Sequence, residues 1–138
     1  MADEQIRHHD LCFGCGQANL FGLQVEVSRS GEGVEGRFFV KQDHQGPPGY
    51  AHGGVVATAL DEAMALLLFD RGTFALTKRL EVDLKAPAPV GTFVRVTARV
   101  EEDGERALRL TADATTEEGR ALAAATGTFA RVPGGPVR

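Results

Sequence analysis

One segment, residues 53–70, constrains the fold of this 138-residue chain more than any other. It is rich in Ala, Leu and Met, it contains no proline, and Gly72 follows it as a plausible stop signal for a helix. Its internal polar residues are Thr58, Asp61 and Glu62, which share one helix face because they are three and four positions apart. Since nearly all the other residues are apolar, we predict a helix that is buried on most of its circumference.

The segments on both sides of this helix alternate between apolar and polar residues, which predicts strands. Residues 23–28 and 34–40 show this alternation before the helix, and four longer segments show it after the helix, joined largely by hairpins. Lys78 is the exception on the apolar set of its segment. The pattern favours an α+β fold in which a five- to six-stranded antiparallel sheet curls around one long central helix, the hot-dog architecture. The four later segments are residues 74–84, 94–101, 108–115 and 121–132.

The length of the chain suits one domain, so we expect residues 1–138 to form a single hot-dog domain. Residues 1–19 are expected to be a turn-rich N-terminal segment, and residues 133–138 a frayed tail. A dispersed net charge of −4 argues against nucleic-acid binding. The longest apolar stretch, residues 55–69, is too short to span a bilayer, and residues 1–10 do not resemble a signal peptide. With only two cysteines, a cytoplasmic location is the expected default.

The start of the central helix combines groups that acyl transfer requires. Gly53 and Gly54 open the helix, where backbone N–H groups have no intrahelical partner and the helix dipole is positive. Asp61 follows Gly54 by two turns on the same face, and its side chain leans back towards the Gly54 amide. A carbonyl bound to that amide would present its carbon to the carboxylate or to a water held by it.

Two other interpretations of this segment have to be weighed. The His-Gly-Gly sequence could be an ordinary turn before a helix, with Asp61 facing solvent. Against this, a carboxylate on a largely buried helix needs a reason to be there. Glu62 competes with Asp61 for the catalytic role, but the spacing from Gly54 favours Asp61.

The motif GYAHGG at residues 49–54, followed six residues later by Asp61 and Glu62, resembles the PaaI-like (phenylacetate-pathway) branch of the hot-dog acyl-CoA thioesterases. The sequence CFGCG at residues 12–16 is also similar to the N-terminus of many members of that branch. The resemblance extends over residues 12–131.

This resemblance implies an enzyme that hydrolyses an acyl-CoA thioester to a free acid and coenzyme A. Asp61 would be the general base or the nucleophile, and the Gly54 amide would polarise the carbonyl. His52 and Gly53 would shape the turn at the substrate. Thr77, on the first strand after the helix, would help to hold the attacking water in the site of a partner subunit.

The chain departs from the family pattern about six residues before the motif histidine, where several relatives have an asparagine. His44 and Gln45 occupy this region. Gln45 is the first candidate to replace the asparagine as a substrate-binding residue, and His44 is the second. Glu62 is retained as a further candidate for substrate binding.

Cys12 and Cys15 form a lone C-x-x-C motif with His8 and His9 nearby. A structural zinc site needs four ligands, and the chain has no second C-x-x-C, so we expect a packed turn without a metal. No cofactor is expected, because coenzyme A is part of the substrate.

The apolar circumference of the helix also predicts a homodimer or homotetramer, because one chain of this size is not expected to cover it alone. Two alternatives to a thioesterase remain at this point. One is an acyl- or acyl-CoA-binding module without turnover, since a fold does not fix a function. The other is a hot-dog hydratase or dehydratase, which typically pairs a catalytic His and an acidic residue in different motifs.

Overall fold

The computed structural model describes residues 4–134, and within them one α-helix and six β-strands form a single layered unit. Residues 135–138 of the expected tail lie outside the described residues. The helix is α1 (Gly53–Asp70), and a short 3-10 turn precedes it at Gln42–His44. The strands are β1 (Glu26–Ser30), β2 (Gly33–Phe39), β3 (Ala75–Leu84), β4 (Phe93–Asp103), β5 (Ala107–Thr116) and β6 (Ala121–Arg131).

The strands form one antiparallel sheet in the order β1-β2-β4-β5-β6-β3. Helix α1 packs against all six strands. This arrangement confirms the prediction of a hot-dog fold. No helix in the described part of the chain is long and apolar enough to cross a membrane.

Helix α1 begins and ends at the residues that the sequence predicts. Its last residue is Asp70, and its C-cap is Arg71, whose N–H donates to carbonyls of the last turn. Gly72 then takes a positive φ of 76°. Of its eighteen residues only Gly54 is classed as exposed. Nine of the others are buried and eight are half-buried, so one chain covers much of the helix and leaves part of its surface accessible. The curled sheet covers most of it, and the N-terminal turn around Cys12 and Gly14 packs over Glu62.

A β-bulge in β3 changes the facing of its first half. The register against β6 shifts between Thr77 and Arg79, so Lys78 is the extra residue. Because the bulge absorbs one position, Thr77 faces the helix on the same side as Leu80, whereas Leu76 is 56% exposed. Simple alternation had placed Leu76 on the buried side and Thr77 on the outer side.

Alternation does not decide which face of the alanine-rich strand β6 is buried, because alanine occupies positions on both faces. In the structure Ala123, Ala125 and Phe129 are buried against the helix side of the sheet. Gly127 lies between them, and a Cβ there would come within 3.0 Å of Met64 Cε. Small residues on β6 therefore allow the middle of α1 to approach the sheet closely.

Candidate active site

Asp61 lies midway along α1 and is half-buried. Its Oδ1 accepts a hydrogen bond of 2.7 Å from the Thr77 hydroxyl on β3. Burial raises the pKa of Asp61 above its ordinary value, and the Thr77 hydrogen bond opposes that rise. The pair is thus a carboxylate with one oxygen fixed by a hydroxyl and with enough burial to strengthen it as a base.

Thr77 contacts the aspartate of its own chain. The prediction that it serves the aspartate of a partner subunit is therefore not supported. The reason is the bulge at Lys78, which turns the Thr77 side chain inwards over α1. Both members of the pair come from one chain.

The helix N-terminus differs from the sequence prediction in its hydrogen bonds. His52 is the N-cap residue, and its Nδ1 accepts a 2.8 Å hydrogen bond from the Gly54 N–H. The amide predicted to polarise a carbonyl is therefore already engaged. Among residues 4–134, by contrast, no acceptor receives the Gly53 N–H. Gly53, rather than Gly54, offers the free donor at the positive end of the helix.

Gln45 is held within its own loop rather than aimed at Asp61. Its amide nitrogen donates to the Gln42 carbonyl at 2.9 Å, and its amide oxygen accepts from the Gly49 N–H at 2.7 Å. The structure does not support a substrate-binding role for Gln45 in this conformation.

His44 is buried, and its Nδ1 accepts from the Lys41 N–H at 3.0 Å. Its Nε2 lies 3.4 Å from the Gly22 carbonyl. Burial lowers the pKa of His44 below its ordinary value. Both ring nitrogens thus hold the loop, and His44 does not replace the family asparagine.

Glu62 faces the N-terminal turn and not the Asp61 site. It is 8% exposed, with His8 Nδ1 at 3.1 Å and the Cys12 thiol donating to it at 3.3 Å. Burial alone would raise the pKa of Glu62, but the contacts with His8 and the thiols outweigh burial and lower it. The hydrogen bond to Glu62 raises the pKa of His8 to about 9. The predicted substrate-binding role of Glu62 is not supported, because its carboxylate is already occupied.

A cavity of about 540 Å³ lies beside the Asp61–Thr77 pair. Ala65 and Phe69 line it, four and eight positions after Asp61 on the same helix face. Thr77 forms another part of its wall, and most of the remaining wall is apolar, with Phe74, Leu76 and Phe129. A polar pair at the edge of an apolar cavity suits a ligand with one reactive polar group and an apolar chain.

The fold and this geometry define a hot-dog protein with a candidate acyl-transfer site on its central helix. The model of the Thioesterase superfamily matches residues 48–123, and the chain belongs to that superfamily. The N-terminal segment with the two cysteines precedes the matched range.

Curated relatives include two acyl-coenzyme A thioesterases. The chain is 36% identical to "Acyl-coenzyme A thioesterase THEM4" of Xenopus laevis over 58 residues, which is 42% of this chain and 26% of that protein. It is 30% identical to human "Acyl-coenzyme A thioesterase 13" over 80 residues, 56% of this chain and 57% of that protein. The chain thus matches about a quarter to just over half of the length of these relatives.

Solved structures show the same fold. The thioesterase superfamily protein RHA08564 has a TM-score of 0.81 and 24% identity, covering 88% of this chain and 60% of that one. Escherichia coli PaaI, from the phenylacetic acid degradation operon, has a TM-score of 0.76 and 19% identity, covering 81% and 82%. These likenesses show that the chain has the fold of these thioesterase structures, PaaI among them.

A hypothetical thioesterase of Streptococcus pneumoniae TIGR4 was solved with coenzyme A, with a TM-score of 0.70, 21% identity and 72% and 81% coverage. Two further structures from that organism are single variants. One has alanine in place of an aspartate, and the other has alanine in place of a threonine sixteen positions later.

Proposed function

We propose that this chain hydrolyses acyl-CoA thioesters to a free acid and coenzyme A. The observation that carries the proposal is the hydrogen bond between Asp61 and Thr77, a residue that lines the largely apolar cavity. The names of the curated relatives and the coenzyme A in the pneumococcal structure agree with this substrate class. The aspartate and threonine replaced in the pneumococcal variants have the same spacing as Asp61 and Thr77.

In the proposed reaction, Asp61 acts as general base on a water molecule. It takes one proton while the water oxygen attacks the thioester carbonyl carbon, and Thr77 fixes the carboxylate oxygen that does not take the proton. The carbonyl oxygen develops negative charge, and a free backbone N–H at a helix N-terminus, such as that of Gly53, would stabilise it. Gly53 precedes Asp61 by eight residues, about 12 Å along the helix axis, so the two would act on one thioester only if they came from different chains of the dimer proposed below. The carbon–sulfur bond then breaks, and the proton on Asp61 passes to the sulfur of the leaving coenzyme A.

Attack by the Asp61 carboxylate itself is the second mechanism. It would form a mixed anhydride, which water then hydrolyses. Single-turnover hydrolysis in water enriched in ¹⁸O detects the anhydride route when water attacks the aspartyl carbon. The general-base route places the label in the acid product only, whereas hydrolysis of an anhydride at the aspartyl carbon places it in the protein. The proposal requires no metal or other cofactor in the chemical step.

The acyl chain is proposed to occupy the cavity beside Ala65, Phe69 and Phe129. The experiment that tests the function is a thiol-release assay with short, medium, long and aromatic acyl-CoAs. We expect turnover of at least one class, with the acyl group determining KM. Saturable binding of acyl-CoA without thiol release would favour the non-catalytic binding module. Conversion of enoyl- or hydroxyacyl-CoA without thiol release would favour a hydratase.

We also propose that two chains associate through β3, forming a homodimer that could assemble further into a tetramer. This ten-residue strand is at one end of the sheet order, and within the described residues its sheet neighbour is β6 alone. It exposes Leu76 and Leu84, at 56% and 57%, together with one row of backbone groups. An exposed edge of this length is a template for pairing with another chain, and a second copy related by a two-fold axis would supply a matching strand.

A further inference from the structure

Four potential metal ligands from distant parts of the sequence meet beside α1, next to the cavity, where the His8 ring packs edge-on against Phe69 with 5.0 Å between the ring centroids. His8, Cys12 and Cys15 come from the N-terminal turn, and Glu62 comes from the helix. Each offers one ligand atom, and these atoms all lie within 4.8 Å of one another. We propose that this cluster is a structural zinc site that fastens the N-terminal turn to the centre of the helix.

The distances agree with tetrahedral coordination. His8 Nδ1 lies 3.1 Å from Glu62 Oε2, 3.7 Å from Cys12 Sγ and 3.9 Å from Cys15 Sγ, and Cys12 Sγ lies 3.3 Å from Glu62 Oε2. Zinc bonds of about 2.0–2.3 Å at tetrahedral angles separate the donor atoms by about 3.3–3.8 Å. These four distances are within a few tenths of an ångström of that range, and the remaining pairs of donor atoms, which lie within 4.8 Å, would have to close by at most about 1 Å to hold the ion.

The chemistry of the ligands favours zinc over the harder cations. Two thiols and one imidazole are soft or borderline ligands, whereas calcium and magnesium prefer oxygen. Both cysteines are free, so neither is consumed in a disulfide. Binding would displace the protons of both thiols and any proton on His8 Nδ1 into solvent.

The turn is built so that it closes over Glu62. A Cβ at Gly14, between the two cysteines, would lie 2.5 Å from Glu62 Oε1, so only glycine fits there without a shift. The His8 backbone N–H lies 3.5 Å from Cys15 Sγ, where it can donate to a thiolate. Cys15 is fully buried and Glu62 nearly so. Four protein ligands are typical of a structural site, whereas a catalytic site keeps one position open.

A zinc site in the N-terminal turn is the opposite of the metal-free turn that the sequence predicts. That expectation counted two cysteines and the absence of a second C-x-x-C motif. The missing ligand is supplied by Glu62, fifty positions after Cys12 in the sequence, and no spacing rule for zinc motifs connects them. The proposed hydrolysis does not use the ion, so either proposal can fail without the other.

The test is the metal content of protein made without a histidine tag and dialysed against chelator-treated buffer. We expect about one zinc per chain by elemental mass spectrometry. Cys12→Ser and His8→Ala should each lose most of that zinc. His9→Ala is the matched control, because the His9 side chain is exposed and only accepts a bond from the Leu11 N–H. It should retain the wild-type content.

A titration with cobalt(II) chloride of metal-stripped wild-type protein does not depend on how the variants fold. A tetrahedral site with two thiolates should give intense visible bands and a thiolate-to-cobalt charge-transfer band, both saturating at about one equivalent. Zinc chloride should then abolish them. Protein that contains no zinc, gives no cobalt bands and shows no change in thermal midpoint with zinc chloride would overturn the proposal and leave a hydrogen-bonded cluster. Zinc content that is unchanged in Cys12→Ser and His8→Ala would overturn it as well.

Discussion

Asp61 and Glu62 are adjacent carboxylates that are separated in role by their neighbours. Asp61 has one hydroxyl partner and an apolar cavity beside it, while Glu62 is enclosed by an imidazole and two thiols. One step along a helix turns a side chain by about 100°, which is enough to place the two on different surfaces. Only Asp61 is left with an oxygen that can act on a ligand.

Replacing Asp61 with Asn preserves its shape and removes the base. We expect kcat for the best acyl-CoA to fall by about 10²-fold or more, the usual contribution of general-base catalysis. Asp113→Asn is the matched control, since Asp113 is on the outer face of β5 and its nearest cation, on Arg99, is 4.0 Å away. Full turnover by Asp61→Asn, with circular dichroism unchanged, would contradict the assignment.

Thr77 positions the Asp61 carboxylate, so its hydroxyl should contribute more to kcat than its methyl group does. Thr77→Val should lower kcat about tenfold, consistent with the loss of a hydrogen bond to a charged group, while Thr77→Ser should retain most of the activity. Steady-state kinetics with one acyl-CoA checks both. An equal loss in the Ser and Val variants would point to packing instead.

Mixing the two impaired proteins Asp61→Asn and Thr77→Val, and comparing the activity with the mean of the two separate proteins, is a direct test of which chain supplies the threonine. The hydrogen bond joins residues of the same chain, and each variant chain lacks one of the two. A mixed dimer would therefore contain no chain with both Asp61 and Thr77. We expect no recovery of activity after subunit exchange. Recovery would show that Thr77 acts across an interface.

His44 should make the stability of the fold depend on pH. Its pKa is lowered by burial in the folded state, so below pH 6.5 the unfolded chain takes up a proton that the folded chain does not. The free energy of unfolding should therefore fall as pH decreases from 6.5 to the lowered pKa of His44. Below that pKa both states carry the proton, so His44 adds no further dependence on pH. Urea midpoints over this range should depend less on pH in His44→Asn than in the wild type.

At the scale of elements, the sequence predicted the helix ends and all six strands because each depends on local periodicity. Helix α1 is confirmed at both ends, and the strand limits differ by at most three residues. The facing of Thr77 could not be predicted, since a bulge breaks the alternation without any local signal apart from the misplaced Lys78. The engagement of the Gly54 amide was missed for a similar reason, because histidine is not among the usual N-cap residues.

The cap itself can be tested as a property of the helix. His52→Ala removes the acceptor for the Gly54 N–H and should lower the free energy of unfolding by about 0.5–2 kcal/mol, as for other N-cap side chains. His52→Asn should keep most of the stability, because asparagine is a favourable N-cap residue. Urea denaturation measures both. Equal midpoints for Ala and wild type would mean that the cap contributes nothing.

At the scale of the whole molecule, the exposed edge of β3 is the surface most suited to a second copy. Leu76→Lys places a charge on this edge and should shift the protein towards monomer in light scattering and sedimentation. Leu20→Lys is the control, because Leu20 is 73% exposed but lies in a loop away from the sheet edges. A wild-type protein that is monomeric at all concentrations would contradict the dimer.

The order of strands in the sheet also sets the order in which the site can be assembled during synthesis. Asp61 and Thr77 leave the ribosome close together, yet within the described chain β3 is joined to the sheet through β6, the last strand. Until residues 121–131 have emerged and paired, the threonine has no fixed place over the helix. A nascent chain that stops before β6 would thus contain both side chains but lack the candidate site. Strand β6 is therefore the element that completes the site.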